Sequence, residues 1–151
     1  MSQDTLVPTS VQEVIESVKS HSSIIPRGGG SKASLWQADE STTLLDMRNL
    51  SGIVEYQPSE YTITVQAGTK LIEVVDALKA NGQYLPFDPP LASEDATIGG
   101  TVAAGLSGPG AYRYGPLKDF IIGVRFVDGL GDLIRGGGKV LFVGTKRQAQ
   151  P

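Results

Sequence analysis

Apolar residues in the first third of the chain show helical spacing and then extended runs. The sequence Ser10-Val11-Gln12-Glu13 has the form of a capping box, and the apolar positions after it follow one helix face: Val11, Val14, Ile15 and Val18. This spacing predicts an amphipathic helix over residues 10–21. Two short apolar runs predict strands at 23–26 and 42–46, with a turn over 47–52.

The pattern then changes to strict alternation. Residues 53–57 and 61–67 predict a hairpin around Pro58-Ser59-Glu60, with Ile63 and Val65 on its apolar face. Helical spacing returns at Leu71, Val74, Val75 and Leu78, which predicts a second helix. Thr69 is expected to cap this helix, and Asn81-Gly82 to end it.

The second half of the chain opens on a proline-rich segment, residues 85–90, which we expect to be rigid and extended and to separate two lobes. Residues 96–108 then carry almost only small side chains. A helical turn of this composition lets a ligand approach its backbone; close packing against a sheet is the alternative. Residues 120–127 and 132–135 predict a further hairpin, with Ile122, Val124 and Phe126 on one face.

The segment with the clearest chemistry is a glycine loop that follows the first predicted strand: Arg27, Gly28, Gly29, Gly30, Ser31 and Lys32. Glycines adopt positive φ freely, so successive N–H groups can turn toward one anion, with Ser31 as a further donor and Arg27 or Lys32 as charge. The spacing fits neither a Walker A loop nor a Rossmann fingerprint. The loop is therefore predicted to hold a diphosphate, and a plain surface turn is the alternative.

Composition narrows the function classes. The 151 residues include 19 glycines, one histidine and no cysteine, with a net charge of −3. Because the basic residues 139, 146 and 147 lie in the last thirteen positions, the rest of the chain is more acidic still, which argues against nucleic acid binding. We expect no disulfide, no metal site and no transmembrane segment, and a cytoplasmic location. His21, at the polar end of the first helix, is expected to be a solvated surface residue.

Four motifs in order identify a family resemblance. They are Pro26-Arg27-Gly28-Gly29-Gly30-Ser31, Val65-Gln66-Ala67-Gly68-Thr69, Thr97-Ile98-Gly99-Gly100-Thr101-Val102-Ala103, and Arg113-Tyr114-Gly115 leading to Asp119-Phe120-Ile121-Ile122-Gly123. Over residues 10–139 the chain resembles the vanillyl-alcohol oxidase/PCMH-type FAD-binding domains. Within that family it is most similar to FAD-binding subunits of the glycolate oxidase type.

The resemblance implies FAD as cofactor and assigns residues to it. Arg27, Gly28, Gly29, Gly30, Ser31 and Lys32 would wrap the diphosphate. A second set would lie along the diphosphate, the ribityl chain and the flavin edge: Pro90, Thr97, Ile98, Gly99, Gly100, Thr101 and Val102. Ser107, Tyr112 and Arg113 are further candidates, with a surface salt bridge as the alternative for Arg113. Because neither a histidine nor a cysteine stands near the glycine loop, FAD is expected to be non-covalent.

The implied fold is α+β with two lobes. Residues 1–89 would form a small mixed sheet with two helices, and residues 90–139 would begin an incomplete antiparallel lobe, with FAD in the crevice between them and no substrate (cap) domain. An unpaired sheet edge and exposed apolar surface are expected over residues 120–134. Residues 139–150 resemble a segment of ribosomal protein S2, for which a gene fusion or frameshift is the simplest account. An ordinary terminal strand over Val140–Val143 is the alternative.

Three functions are compatible with these features. The chain could be the flavoprotein subunit of a 2-hydroxy-acid oxidase complex with partner subunits, which could also bring it to a membrane. It could be an FAD-binding fragment without activity of its own, or a nucleotide-binding or interaction module without flavin. Oxidation of a 2-hydroxy acid needs a base and a cation over the flavin ring. Since His21 lies far in sequence from every flavin motif, the catalytic residues stay unknown and the isolated chain is expected to be inactive.

Overall fold

The computed structural model describes residues 4–32, 41–90, 92 and 95–143, with the backbone alone for 135–143. Within these ranges the chain forms two sheets and four α-helices. The strands are β1 (Thr5–Leu6), β2 (Ile24–Arg27), β3 (Thr43–Asp46), β4 (Ile53–Gln57), β5 (Thr62–Val65), β6 (Ile121–Val127) and β7 (Leu133–Val143). The α-helices are α1 (Val11–Ser20), α2 (Leu71–Lys79), α3 (Ile98–Ala104) and α4 (Ala111–Tyr114).

The first sheet is parallel throughout, in the order β1-β3-β2. Helix α1 connects β1 to β2 and packs Val14 against Leu45 and Leu50. Ser10 caps α1 by accepting a hydrogen bond from the Glu13 amide (3.2 Å). The Glu13 carboxylate reaches one residue further back than in a capping box, to the Thr9 amide (2.7 Å).

The second sheet is antiparallel, in the order β4-β5-β7-β6. Its core lies under β5 and α2 and consists of Ile63, Val65, Leu71, Val74, Leu78, Phe87, Ala96, Ile98, Leu117 and Phe120. The alternation predicted for the hairpin is confirmed, because Ile63 and Val65 are buried while Thr62 and Thr64 are only half-buried. Burial of the apolar face of α2 holds that helix on the sheet.

The grouping of strands corrects the expected single mixed sheet within residues 1–89. Strand β4 pairs with β5, and β5 pairs with β7, so both belong to the same sheet as β6, whereas β1, β2 and β3 form a separate parallel sheet. The physical reason is that the alternating hairpin has one apolar face, which is buried by α2 and by residues from the second half of the chain. A lobe boundary at residue 89 stays a prediction.

Two local expectations were also wrong. Thr69 does not cap α2, whose N-cap is Lys70 without a side-chain hydrogen bond. The Thr69 hydroxyl instead donates to the Gln66 carbonyl (2.7 Å) and accepts from the Gly52 amide (2.9 Å). Phe120, placed in the exposed hairpin by sequence, is buried and packs against Phe87 with ring centroids 5.9 Å apart.

The expected sheet edge is present at β6. The outward side chains of β6, and their neighbour on β7, are exposed: Ile122, Val124, Phe126 and Ile134. Phe126 and Ile134 are register partners, so they lie on one face. In the described part of the chain no helix is long and apolar enough to cross a membrane. The segment 140–143 is the end of β7, and residues 144–150 of the ribosomal resemblance lie outside the described residues.

Candidate functional site

Four chain segments lie side by side where the parallel strands end. They are residues 27–32 after β2, residues 46–50 after β3, residues 66–70 between β5 and α2, and residues 95–99 before and at the start of α3. Backbone hydrogen bonds join three of them: Gly68 donates to the Leu50 carbonyl (2.8 Å), and Gly99 donates to the Ala67 carbonyl (2.8 Å). The carboxyl edge of parallel strands is a frequent ligand position in α/β folds.

The glycines at this place are required by contact between the segments. A Cβ on Gly29 would stand 1.4 Å from the Asp95 carbonyl oxygen, and one on Gly28 would stand 2.1 Å from the Thr97 hydroxyl oxygen. On Gly68 it would meet the Met47 carbonyl oxygen at 2.0 Å. The two glycine motifs and the Thr97 motif are therefore brought together, with almost no space between backbones.

The conformation of the glycine loop differs in part from the expectation. Of its three glycines only Gly30 has positive φ, at +75°, with the Arg27 guanidinium beside it. Gly28 and Gly29 are needed for close approach and not for their φ. The loop nevertheless leaves donors available, since the N–H groups of Gly28, Gly29, Gly30 and Ser31 form no hydrogen bond with any residue in the described ranges.

Lys32 closes the loop as a buried cation. The residue is 9% exposed, and its Nζ lies 3.4 Å from the Ser31 hydroxyl. Among the described residues no carboxylate lies within salt-bridge distance of it. Burial lowers the pKa of its ammonium group because the charged form loses hydration. A buried cation of this kind is stabilised by an anion that enters the site.

The small-residue segment behaves differently from the glycine loop. Thr97 caps α3 by accepting from the Gly100 amide (3.2 Å), the Gly99 amide bonds to Ala67, and the Thr101 amide bonds to the Thr97 carbonyl. The amides of Gly99, Gly100 and Thr101 are therefore already paired within the protein. Ile98 and Thr101 are buried, Gly99, Gly100 and Val102 are half-buried, and the Thr101 hydroxyl has no partner among the described residues.

A charged pair stands at the end of β3. Asp46, a register partner of Arg27 in the parallel sheet, accepts from the Nε (2.9 Å) and Nη2 of Arg48. The Arg48 guanidinium holds the pKa of the Asp46 carboxyl below its usual range, with a smaller contribution from Arg27. The Asp46 carboxylate in turn raises the pKa of Arg48, with a smaller contribution from Asp95.

The remaining candidate residues lie on the α4 side of the second sheet. Ser107 accepts a hydrogen bond from the Leu117 amide (3.2 Å), Pro90 is half-buried, and Tyr112 is 99% exposed. Arg113 makes no salt bridge with any described residue; its guanidinium instead lies 5.2 Å from the centroid of the Tyr114 ring. The salt-bridge alternative for Arg113 stays a prediction.

His21 lies at the end of α1, shortly before the amino end of β2, whereas the four segments lie at the carboxyl end of the parallel strands. Its Nδ1 is 2.8 Å from the Ser17 carbonyl oxygen, to which it can donate, and the ring lines a shallow surface depression beside β1 with Glu13 and Glu16. This helix-terminal contact explains the residue without a catalytic role.

The sequence alone did not identify four members of this site as such: Asp46, Arg48, Lys70 and Asp95. Lys70 pairs with Asp95 (3.4 Å) across the segments that flank α2 and α3. The available signal was the sequence Asp46-Met47-Arg48, which runs from the last residue of the predicted strand 42–46 into the predicted turn 47–52.

Comparison with known proteins defines the class. The family model described as "FAD binding domain" matches residues 4–137, and the chain belongs to this family. FAD is accordingly its cofactor, and the expected α+β fold of this family is confirmed. The chain is similar to the glycolate oxidase subunit GlcE of Escherichia coli (strain K12), with 39% identity over 131 residues that cover 87% of this chain and 37% of the relative.

Two further likenesses are more distant. The glycolate oxidase subunit GlcD of Bacillus subtilis (strain 168) is 31% identical over 118 residues, which cover 78% of this chain and 25% of that protein. A solved structure of alkyldihydroxyacetonephosphate synthase superposes with a TM-score of 0.73 at 26% identity, over 95% of this chain and 27% of that one. The chain thus spans between 25% and 37% of the length of these proteins.

The site's chemistry fits the FAD diphosphate. The loop offers four amide donors that have no partner in the described part of the chain, together with a buried ammonium group, and these are the groups that bind phosphate oxygens in proteins. Gly28 to Lys32 would hold the diphosphate, and FAD would supply hydride-transfer chemistry when bound.

Proposed function

We propose that the chain is the FAD-binding part of a flavin-dependent 2-hydroxy-acid oxidoreductase of the glycolate oxidase type, and that it holds FAD non-covalently. The observation that carries this proposal is the Gly28–Lys32 loop, in which four amides without a partner among the described residues precede a buried lysine. The substrate class rests on the names of the relatives from Escherichia coli and Bacillus subtilis.

The residues assigned to FAD divide by what they can offer. Gly28 to Ser31 provide backbone donors, and Lys32 provides charge. The half-buried face of α3 at Gly99, Gly100 and Val102 provides a wall without large side chains, suited to a flat ring or a ribityl chain. Pro90, Ser107 and Arg113 are proposed at its margin. The absence of cysteine in the sequence and the position of its one histidine at the end of α1 support non-covalent binding.

Catalysis is proposed to require residues outside this chain. No described residue near the loop is a base of suitable type, since the one histidine caps α1. Partner subunits of a glycolate oxidase complex, and residues of a substrate domain, would supply the base and the carboxylate-binding cations. The chain alone is expected to bind FAD and to leave it oxidised in the presence of glycolate.

A flavin titration tests this proposal. Purified chain freed of flavin is mixed with increasing FAD, and quenching of flavin fluorescence is recorded. We expect saturation at one FAD per chain and complete release of flavin into the supernatant after acid precipitation. Failure to bind FAD would overturn the proposal, and flavin retained in the pellet would overturn its non-covalent part. Anaerobic bleaching of the bound flavin by glycolate would contradict the assignment of catalysis to other residues.

A further inference from the structure

A second cationic group stands beside the glycine loop and was not among the residues assigned to FAD. Arg48 follows β3 by two residues, and its side chain is 61% exposed although its partner Asp46 is only 10% exposed. Asp46 fixes the guanidinium through Nε and Nη2. An arginine has five N–H donors, so about three of them remain directed away from Asp46.

The position of this guanidinium follows from its neighbours. Asp46 is the register partner of Arg27, the residue that opens the glycine loop. On the other side the turn that carries Arg48 packs on Gly68, whose added Cβ would meet the Met47 carbonyl oxygen at 2.0 Å and whose amide donates to the Leu50 carbonyl. Arg48 is therefore carried by a turn that lies between the end of β2 and the segment 66–70.

The charge of the four segments supports an anionic ligand. They carry the cations Arg27, Lys32, Arg48 and Lys70 and the carboxylates Asp46 and Asp95, which leaves an excess of two positive charges in a chain of net charge −3. A diphosphate carries two negative charges. The excess is local, and it is opposite in sign to the rest of the molecule.

We infer that Arg48 is a further diphosphate-binding residue of the FAD site and that Asp46 is its positioning residue. The inference rests on the proposed function and extends it: Arg48 would contribute its free N–H donors from the end of β3, while Arg27, Lys32 and the loop amides would contribute from the end of β2. Rigid support comes from the 46–50 turn, which Gly68 holds through its bond to the Leu50 carbonyl. A guanidinium fixed in this way binds phosphate oxygens with less loss of side-chain entropy than a free one.

Flavins with and without phosphate test this inference. FAD and riboflavin are titrated separately into wild-type chain and into Arg48→Ala, Arg48→Lys and Asp46→Asn, with Lys79→Ala at the exposed end of α2 as the matched loss of one charge. We expect Arg48→Ala to weaken FAD binding by about five- to tenfold, because the site is partly solvated. Riboflavin binding should change less than twofold. Asp46→Asn should weaken FAD binding in the same direction, and Arg48→Lys should restore only part of the affinity because lysine lacks the planar fork.

The salt dependence separates this role from a structural one. FAD affinity of the wild type should fall more steeply with sodium chloride than that of Arg48→Ala, while Lys79→Ala should follow the wild type. Unchanged FAD affinity in Arg48→Ala, or equal losses for FAD and riboflavin, would overturn the inference while leaving the proposed function in place. Absence of FAD binding by the wild type would overturn both.

Discussion

Replacement of Gly29 by alanine is the sharpest test of the contact between the glycine loop and the segment before α3. The added Cβ would stand 1.4 Å from the Asp95 carbonyl oxygen, whereas ordinary contact begins near 3.4 Å. The two backbones would have to separate by about 2 Å. Rotation of a side chain cannot relieve this clash, because the atom that the new Cβ meets belongs to the main chain of Asp95. Overpacking of this kind costs about 2 kcal/mol.

That cost is expected to appear in both stability and binding. If the loop separates from Asp95, its amides no longer point to one place, and a penalty of about 2 kcal/mol corresponds to roughly 30-fold weaker FAD binding. Gly129→Ala is the matched control, since Gly129 has open space around its missing Cβ and no positive φ. Gly28→Ala should lie between the two, because its Cβ would meet the Thr97 hydroxyl, which can rotate away.

The assay combines urea unfolding with a flavin titration of each variant. The expected order of loss is Gly29→Ala, then Gly28→Ala, then Gly129→Ala, with the last within about 0.5 kcal/mol of wild type. Equal stability and equal FAD affinity of the Gly29 and Gly129 variants would refute the reasoning, since the contact at Asp95 would then carry no energy.

Three further outcomes are expected. Lys32→Ala should leave stability in urea unchanged or raise it, because an incompletely hydrated charge is removed, and it should weaken FAD binding about tenfold. A fall in stability with intact FAD binding would contradict the role of Lys32 as a phosphate-binding cation. Because Arg48 lowers the pKa of Asp46, wild type should be more stable than Asp46→Asn by a constant amount above about pH 4, and this difference should shrink as the pH falls further. A stability difference that does not depend on pH would contradict the pairing of Asp46 with Arg48. Phe126→Ser should reduce both the binding of a hydrophobic dye and self-association in sedimentation, whereas Tyr112→Ser, which removes an isolated exposed ring, should change neither. Equal effects of the two variants would contradict the assignment of self-association to the apolar face of β6.

Periodicity predicted most of the local structure because each element has one face to bury. The alternation of Ile63 and Val65, and the helical spacing of Leu71, Val74 and Leu78, both correspond to buried positions in the second sheet. Sheet membership could not be predicted in the same way. Pairing of β5 with β7 joins residues about 80 positions apart, and short-range spacing contains no information about such partners.

In the site, too, the sequence predicted the local features but not the contacts between distant segments. Glycine content indicated where backbones come close, and Gly28 does lie against Thr97, as Gly29 does against Asp95. It did not indicate which atoms these glycines contact, namely the Thr97 hydroxyl and the Asp95 carbonyl. It also did not indicate that the amides at 99–101 are hydrogen-bonded within the protein. Asp46 and Arg48 were missed because a two-residue spacing after a strand is common in turns, and only the parallel register with Arg27 places the pair at the site.

Amide chemical shifts measure the central claim most directly. In a ¹H–¹⁵N spectrum of the labelled chain, addition of FAD is expected to shift the amide signals of Gly28, Gly29, Gly30 and Ser31 strongly, because these donors gain phosphate oxygens as partners. The amides of Gly99 and Gly100, which already bond to Ala67 and Thr97, should shift less. FAD binding that leaves the four loop amides unchanged and shifts those of α3 instead would contradict the account.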